Sequence, residues 1–141
     1  MSWAVVVFPG SNCDVDCYHA MKDVLGADTR MVWHADALGD DTEGVFLPGG
    51  FSYGDYLRPA AIASYSRALD GVCEYVQKGG IVLGICNGFQ MLLELKLLPG
   101  AMIKNNVLKF VCRDVFLRVE RNDTPFTTQY NKAQIITLPI A

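Results

Sequence analysis

Apolar positions along the chain change period several times, and the changes mark out elements. Residues 3–8 form a continuous apolar run that stops at Pro9-Gly10, the pattern of a strand buried on both faces. A helix opens at Ser11-Asn12-Cys13-Asp14, where Ser11 with an acid three residues on is a capping pattern. Asp14 and Asp16 suit the positive end of that helix, which runs to about Leu25 and stops at Gly26. Residues 29–33 and 44–47 read as strands two and three, the latter broken by Pro48-Gly49-Gly50. A polar and aromatic loop, 51–58, leads into two helical stretches, 60–69 and 71–78, ended by Gly79-Gly80. Residues 81–85 predict strand four, 87–95 a helix, and Pro99-Gly100 a turn. The pattern then changes. Residues 107–113 and 115–121 read as paired strands, 122–125 as a turn, and 134–138 as a further strand.

Strand and helix alternate through the first hundred residues. This argues for an α/β fold, a doubly wound, mostly parallel sheet with helices on both faces. No boundary or repeat interrupts the chain, so residues 1–141 read as one domain. In such sheets ligands bind at the carboxyl ends of the strands. Four candidate sites fall there: 10–13, His34, 49–58 and Cys86.

Composition narrows the function classes. A chain of 141 residues, 51% hydrophobic and 19% charged, can bury one real core. Net charge −3 and a pI near 5.2 leave no basic patch for nucleic acid or anionic membrane. No apolar run approaches the ~20 residues that span a bilayer. The N-terminus carries no Lys or Arg before its apolar stretch and no small-residue cleavage site after it, so it predicts a first strand rather than a signal peptide. Five cysteines (13, 17, 73, 86, 112) without framework spacing read as reduced thiols, which predicts a cytoplasmic protein. Cys13-x-x-x-Cys17 lacks the Cys-His partner pair of a zinc site, and no metal is expected.

The sharpest feature is Gly84-Ile85-Cys86-Asn87-Gly88-Phe89-Gln90, between a strand and a helix. G-x-C-x-G in that context is a nucleophile elbow with cysteine in place of serine. The turn is crowded, so the positions two before and two after the nucleophile must be small. The helix N-terminus beneath the sulfur favours thiolate over thiol. The Asn87 amide has no partner inside the helix and can donate to an oxyanion. A second donor is expected from the loop Pro48-Gly49-Gly50-Phe51, where glycines let the backbone approach a ligand. The other four cysteines read as packing. A cysteine nucleophile needs a base. His19 lies within the first helix and reads as a surface residue. His34 ends strand two on the correct edge of the sheet, but the histidine of an elbow enzyme normally follows the nucleophile, and none follows Cys86. The residues by themselves yield a nucleophile and an oxyanion cradle, with the base left open.

Three strings carry a resemblance: Phe8-Pro9-Gly10-Ser11-Asn12-Cys13-Asp14, the run 47–58 (LPGGFSYGDYLR), and the elbow with Gln90. Together with residues 97–101 and 112–115 they resemble the glutaminase subunit of phosphoribosylformylglycinamidine synthase over essentially the whole chain. The elbow alone resembles any triad-type glutamine amidotransferase; the 51–58 string narrows the match. The resemblance implies a flavodoxin-like class I glutamine amidotransferase fold and a Cys-His-Glu triad with Cys86 as nucleophile. It implies Gly50 and Asn87 as oxyanion donors, and Gly49, Gly50, Phe51 and Gln90 as substrate-binding residues. Ammonia freed from L-glutamine would pass to a large synthetase subunit that uses ATP and Mg, with a third small subunit in some bacteria; this subunit itself would need no cofactor. Family members have glycine where this chain has Ala60, and they continue well beyond position 141 with the triad His and Glu in that continuation. A shortened, non-catalytic module that binds the partner subunit is therefore the alternative reading. A cysteine-elbow chaperone or peptidase is a further rival, but it would lack the 49–55 string and Gln90.

Overall fold

The computed structural model describes residues 2–56 and 58–140; Leu57, within the 51–58 string, lies outside the described residues. Two compact units are present, Met1–Met102 and Ile103–Ala141.

The first unit is a four-stranded parallel sheet with flanking helices. The strands are β1 (Ser2–Val7), β2 (Thr29–Trp33), β3 (Thr42–Leu47) and β4 (Ile81–Gly84), in the order β2-β1-β3-β4. The helices are α1 (Asp14–His19), α2 (Pro59–Ala63), α3 (Arg67–Gln77) and α4 (Asn87–Glu94). No helix among the described residues is long and apolar enough to cross a membrane.

β1 lies inside the sheet, which explains its unbroken apolar run. Ala4, Val6 and Phe8 point to one face and pack with Val45, Leu47, Leu69, Val72, Met91 and Leu92. Val5 points to the other and is fully buried too. From β1 the chain steps to β2 on one side and returns to β3 on the other. That reversal opens a crevice at the carboxyl ends of β1 and β3, the place where open α/β sheets bind ligands.

Several expected boundaries move. Ser11 does not cap α1: Cys13 is the N-cap residue, without a side-chain bond, and Ser11 lies too far upstream to reach the first-turn amides. Beyond His19 the helix widens into a π turn, Ala20–Val24, before Gly26 ends it at φ 65°. The two helical stretches expected at 60–69 and 71–78 divide at Ser64–Ser66 instead. Ser66 turns extended (φ −85°, ψ 144°) and its hydroxyl accepts the Leu69 amide at 3.4 Å, starting α3. Gly71 lies inside α3 against Leu38 rather than breaking it.

The second unit contains β5 (Arg113–Arg118) and β6 (Ile135–Ile140), an antiparallel pair running from Arg113↔Ile140 to Arg118↔Ile135. The expected strand at 107–113 is absent as a strand. Leu108 (φ 53°) and Cys112 (φ 46°) adopt left-handed backbone, which interrupts an extended run. The partner of the 115–121 segment is therefore the last strand, not its upstream neighbour.

Candidate active site

Three loops meet at the carboxyl edge of the sheet. The last bond of the β3–β4 ladder, from Ile85 N–H to the Leu47 carbonyl (3.0 Å), brings the 48–51 turn beside the elbow. The glycines of the elbow have specific physical reasons. A Cβ on Gly88 would lie 1.9 Å from the Leu47 carbonyl oxygen, and one on Gly84 would lie 2.6 Å from that of Gly88. A Cβ on Gly49 would lie 2.8 Å from the Cβ of Cys86. Only this absence of side chains lets β3, β4 and α4 converge on one residue.

Cys86 itself takes φ 51° and ψ −108°, a conformation that a side chain resists and that tertiary contacts must hold. Cys86 is exposed at the carboxyl edge of the sheet, after β4. The backbone amides of Asn87 and Gly50 both donate toward its sulfur. Gly50 (φ 99°) is held from behind: its carbonyl accepts the Asn12 amide at 3.0 Å, while the Gly49 carbonyl accepts the Ser11 hydroxyl at 2.8 Å. A Cβ on Gly50 would meet the Cys13 amide nitrogen at 2.5 Å. Ser11 and Asn12, within the candidate site 10–13, are thus supporting residues, although Ser11 was also expected to cap the helix. The signal was their position directly after a strand that ends in Pro9-Gly10.

The expected activation of the thiol is not what the site provides. Partial burial pushes the Cys86 thiol up from its ordinary pKa, with the charges of Asp55 and Cys13 adding to the rise. The Asn87 and Gly50 amides oppose this without overcoming it. One helix N-terminus does not outweigh desolvation of a thiolate.

Asn87 is buried, and its side chain is as much a part of the site as its amide. Its Oδ1 accepts the Ser52 amide at 3.0 Å, and its Nδ2 donates to Asp55 Oδ1 (2.9 Å) and Gln90 Oε1 (3.3 Å). Gln90 is half-buried one turn along α4. Phe51 is exposed beside the cradle at φ 57°.

His34 does not join this group. β2 is the far edge strand, with β1 and β3 between it and β4, so their ends are about 14 Å apart at the usual strand spacing. Its imidazole packs instead against Trp33, Phe8 and Tyr53, with ring centroids 4.6, 6.3 and 6.2 Å away. His19 is exposed on α1 and bonds to Asp23 at 2.5 Å. Neither histidine is placed to act as base for Cys86.

A parallel α/β sheet whose strand-to-helix turn presents a cysteine, with two backbone amides converging on the sulfur, defines a nucleophile-elbow protein of the class I glutamine amidotransferase fold. The chain belongs to the CobB/CobQ-like glutamine amidotransferase domain family, whose model matches residues 1–141. It is 50% identical over 141 residues to phosphoribosylformylglycinamidine synthase subunit PurQ of Alkaliphilus metalliredigens (strain QYMF), covering 100% of this chain and 62% of that protein. Among solved structures, it matches a chain of PurLQS from Thermotoga maritima at 46% identity and TM-score 0.88, over 99% of this chain and 65% of that one. The chain therefore spans less than two thirds of the length of these relatives.

Proposed function

We propose that this chain carries the nucleophile and oxyanion cradle of a glutaminase, as part of the glutaminase subunit of phosphoribosylformylglycinamidine synthase. The observation that carries the reading is the convergence of the Gly50 and Asn87 amides on the Cys86 sulfur. The Cys86 thiolate attacks the side-chain amide carbon of L-glutamine, forming a C–S bond and pushing the carbonyl electrons onto oxygen. The two amides stabilise that oxyanion. Collapse of the intermediate, with a proton delivered to nitrogen, expels ammonia and leaves a glutamyl thioester. Water then cleaves the thioester, releasing glutamate and restoring the thiol. Gly49 and Phe51 line the approach, and Gln90 contacts the substrate. The proton carriers come from outside these 141 residues, because His34 and His19 are both misplaced; the His and Glu implied by the resemblance fill that role. Ammonia passes to a large ATP- and Mg-dependent synthetase subunit, with a small third subunit in the assembly, in the cytoplasm. The glutaminase part needs no cofactor of its own.

The alternative is a non-catalytic module that binds the synthetase subunit, because neither His34, on the far edge strand, nor His19, paired with Asp23, is placed to act as base for Cys86. Ammonia release from L-glutamine by the protein that carries these residues together with the implied His and Glu, with and without the large subunit, separates the two. On the first reading Cys86→Ala abolishes glutamine-dependent synthesis by the complex and leaves ammonia-dependent synthesis intact. A Cys86→Ala protein that still released ammonia from glutamine would sink it.

A further inference from the structure

The turn after the Gly49-Gly50 pair is held in a conformation its residues do not prefer. Phe51, Tyr53 and Asp55 adopt φ of 57°, 56° and 52°. Left-handed backbone at three non-glycine residues persists only where the surroundings over-determine it. Two backbone bonds contribute, from Tyr53 N–H to the Pro9 carbonyl (2.7 Å) and from Gly54 N–H to the Phe51 carbonyl (2.8 Å). The side chain of Asn87, 1% exposed, adds a further hold.

The orientation of that amide is determined by its partners. The Ser52 backbone N–H can only donate, so the atom facing it at 3.0 Å must be Oδ1. Nδ2 then faces two acceptors, Asp55 Oδ1 at 2.9 Å and Gln90 Oε1 at 3.3 Å. One buried amide thereby ties both ends of the 52–55 turn to the first turn of α4. That first turn supplies the Asn87 amide, and the turn it grips continues from Gly50, the second donor. The same bond to Gln90 engages Oε1 and turns Nε2 elsewhere. Asp55 anchors the set: its acceptor is charged, which makes that bond the stronger of the two from Nδ2, and among the described residues no cation pairs with it.

We propose that Asp55 is a positioning residue of the glutaminase site: through the Asn87 side chain it sets the placement of the Gly50 and Asn87 amides over Cys86 and the direction of Gln90. The inference rests on the function proposed above. Asp55 acts through Asn87 and does not itself touch the reacting atoms.

The test compares wild type, Asp55→Ala and Asp55→Asn by two measurements. One is hydrogen exchange of the Ser52 amide, which reads the latch without any reference to glutamine. The other is the rate at which a diazoketone analogue of L-glutamine labels Cys86, divided by the rate for iodoacetamide. A lost bond to a charged acceptor predicts that Asp55→Ala speeds Ser52 exchange and slows relative labelling, each by more than about fivefold. Asp55→Asn keeps an oxygen acceptor and restores both to within about fivefold of wild type. Its lost charge also moves the iodoacetamide pH profile to lower pH, a direct Coulombic effect on Cys86 that is separate from the latch, so the labelling ratio and its rescue by Asp55→Asn decide. Asp55→Ala within about fivefold of wild type on both measurements, or Asp55→Asn as impaired as Asp55→Ala, overturns the inference. If Asp55→Ala fails to fold, Ser52 protection decides: protection in both wild type and Asp55→Asn supports the latch, and an unprotected Ser52 in wild type overturns it. A wild-type protein, with the implied His and Glu present, that iodoacetamide modifies at Cys86 but the analogue does not would refute the glutaminase reading instead, while Ser52 exchange still reports on the latch.

Discussion

Gly88 is the position where the elbow makes its strongest demand, and Gly88→Ala turns that demand into a number. Helix propensity alone favours the change, because alanine inside a helix is about 1 kcal/mol better than glycine and Gly88 has no positive φ. Packing opposes it. The new Cβ would lie 1.9 Å from the Leu47 carbonyl oxygen and 2.5 Å from its carbon, both backbone atoms. Ordinary carbon–oxygen contact needs about 3.3 Å, so the first turn of α4 must retreat by more than about 1 Å. Overpacking of this kind costs about 1–3 kcal/mol. The struck carbonyl also accepts the Ile85 amide at 3.0 Å, and leaving such a pair unmade costs about 1–3 kcal/mol more. The balance is a loss of about 3 kcal/mol, read as a fall in melting temperature of roughly 12 °C at ~4 °C per kcal/mol. Gly79→Ala is the control: it has positive φ (86°) but nothing within 4 Å of a Cβ, so it should lose only about 1 kcal/mol, from backbone strain. The comparison is made by thermal unfolding of the three proteins side by side. Gly88→Ala melting no lower than Gly79→Ala would refute the claim that α4 is seated directly on the Leu47 carbonyl.

Cys86→Gly removes the nucleophile and also its strain at φ 51°, ψ −108°; stability in urea should rise by about 1–2 kcal/mol, and a loss would contradict the strain argument. Because burial raises the Cys86 thiol, its alkylation by iodoacetamide should have a midpoint above the ~8.5 of a free thiol. The raised value places the reactive thiolate on the alkaline side, and a midpoint below that of free cysteine in peptide mapping would reverse the assigned cause. Ser66→Ala removes the side-chain cap of α3 and should cost about 0.5–1 kcal/mol in unfolding experiments, whereas no loss would show that the 3.4 Å bond contributes nothing.

Much of this protein was legible before its fold was known, and the legible parts share a cause. The runs at 3–8, 29–33, 44–47 and 81–85 each coincide with a strand within two residues at either end. Periodicity and turn chemistry act over a few residues, so the chain reports them locally. The elbow was legible for the same reason, since crowding around Cys86 forces glycine at fixed offsets. The misreadings came from contacts between distant segments. Ser11 sits in a capping pattern, yet its hydroxyl goes to Gly49, 38 residues away. The 107–113 run has strand composition, yet left-handed backbone at Leu108 and Cys112 breaks it, and β5 pairs with the last strand instead.

The sequence by itself determined four apolar strands, a cysteine on a crowded turn between the last of them and a helix, and a glycine turn able to lie against it. Only the tertiary structure decided the strand order, which set the Gly49-Gly50 turn beside Cys86 and left His34 on the far edge. Only it linked Asp55 to Asn87 across 32 residues, and only it raised rather than lowered the thiol. The reason is physical: local sequence governs dihedral angles and periodicity, whereas desolvation and charge are sums over neighbours that exist only once the strands have taken their order.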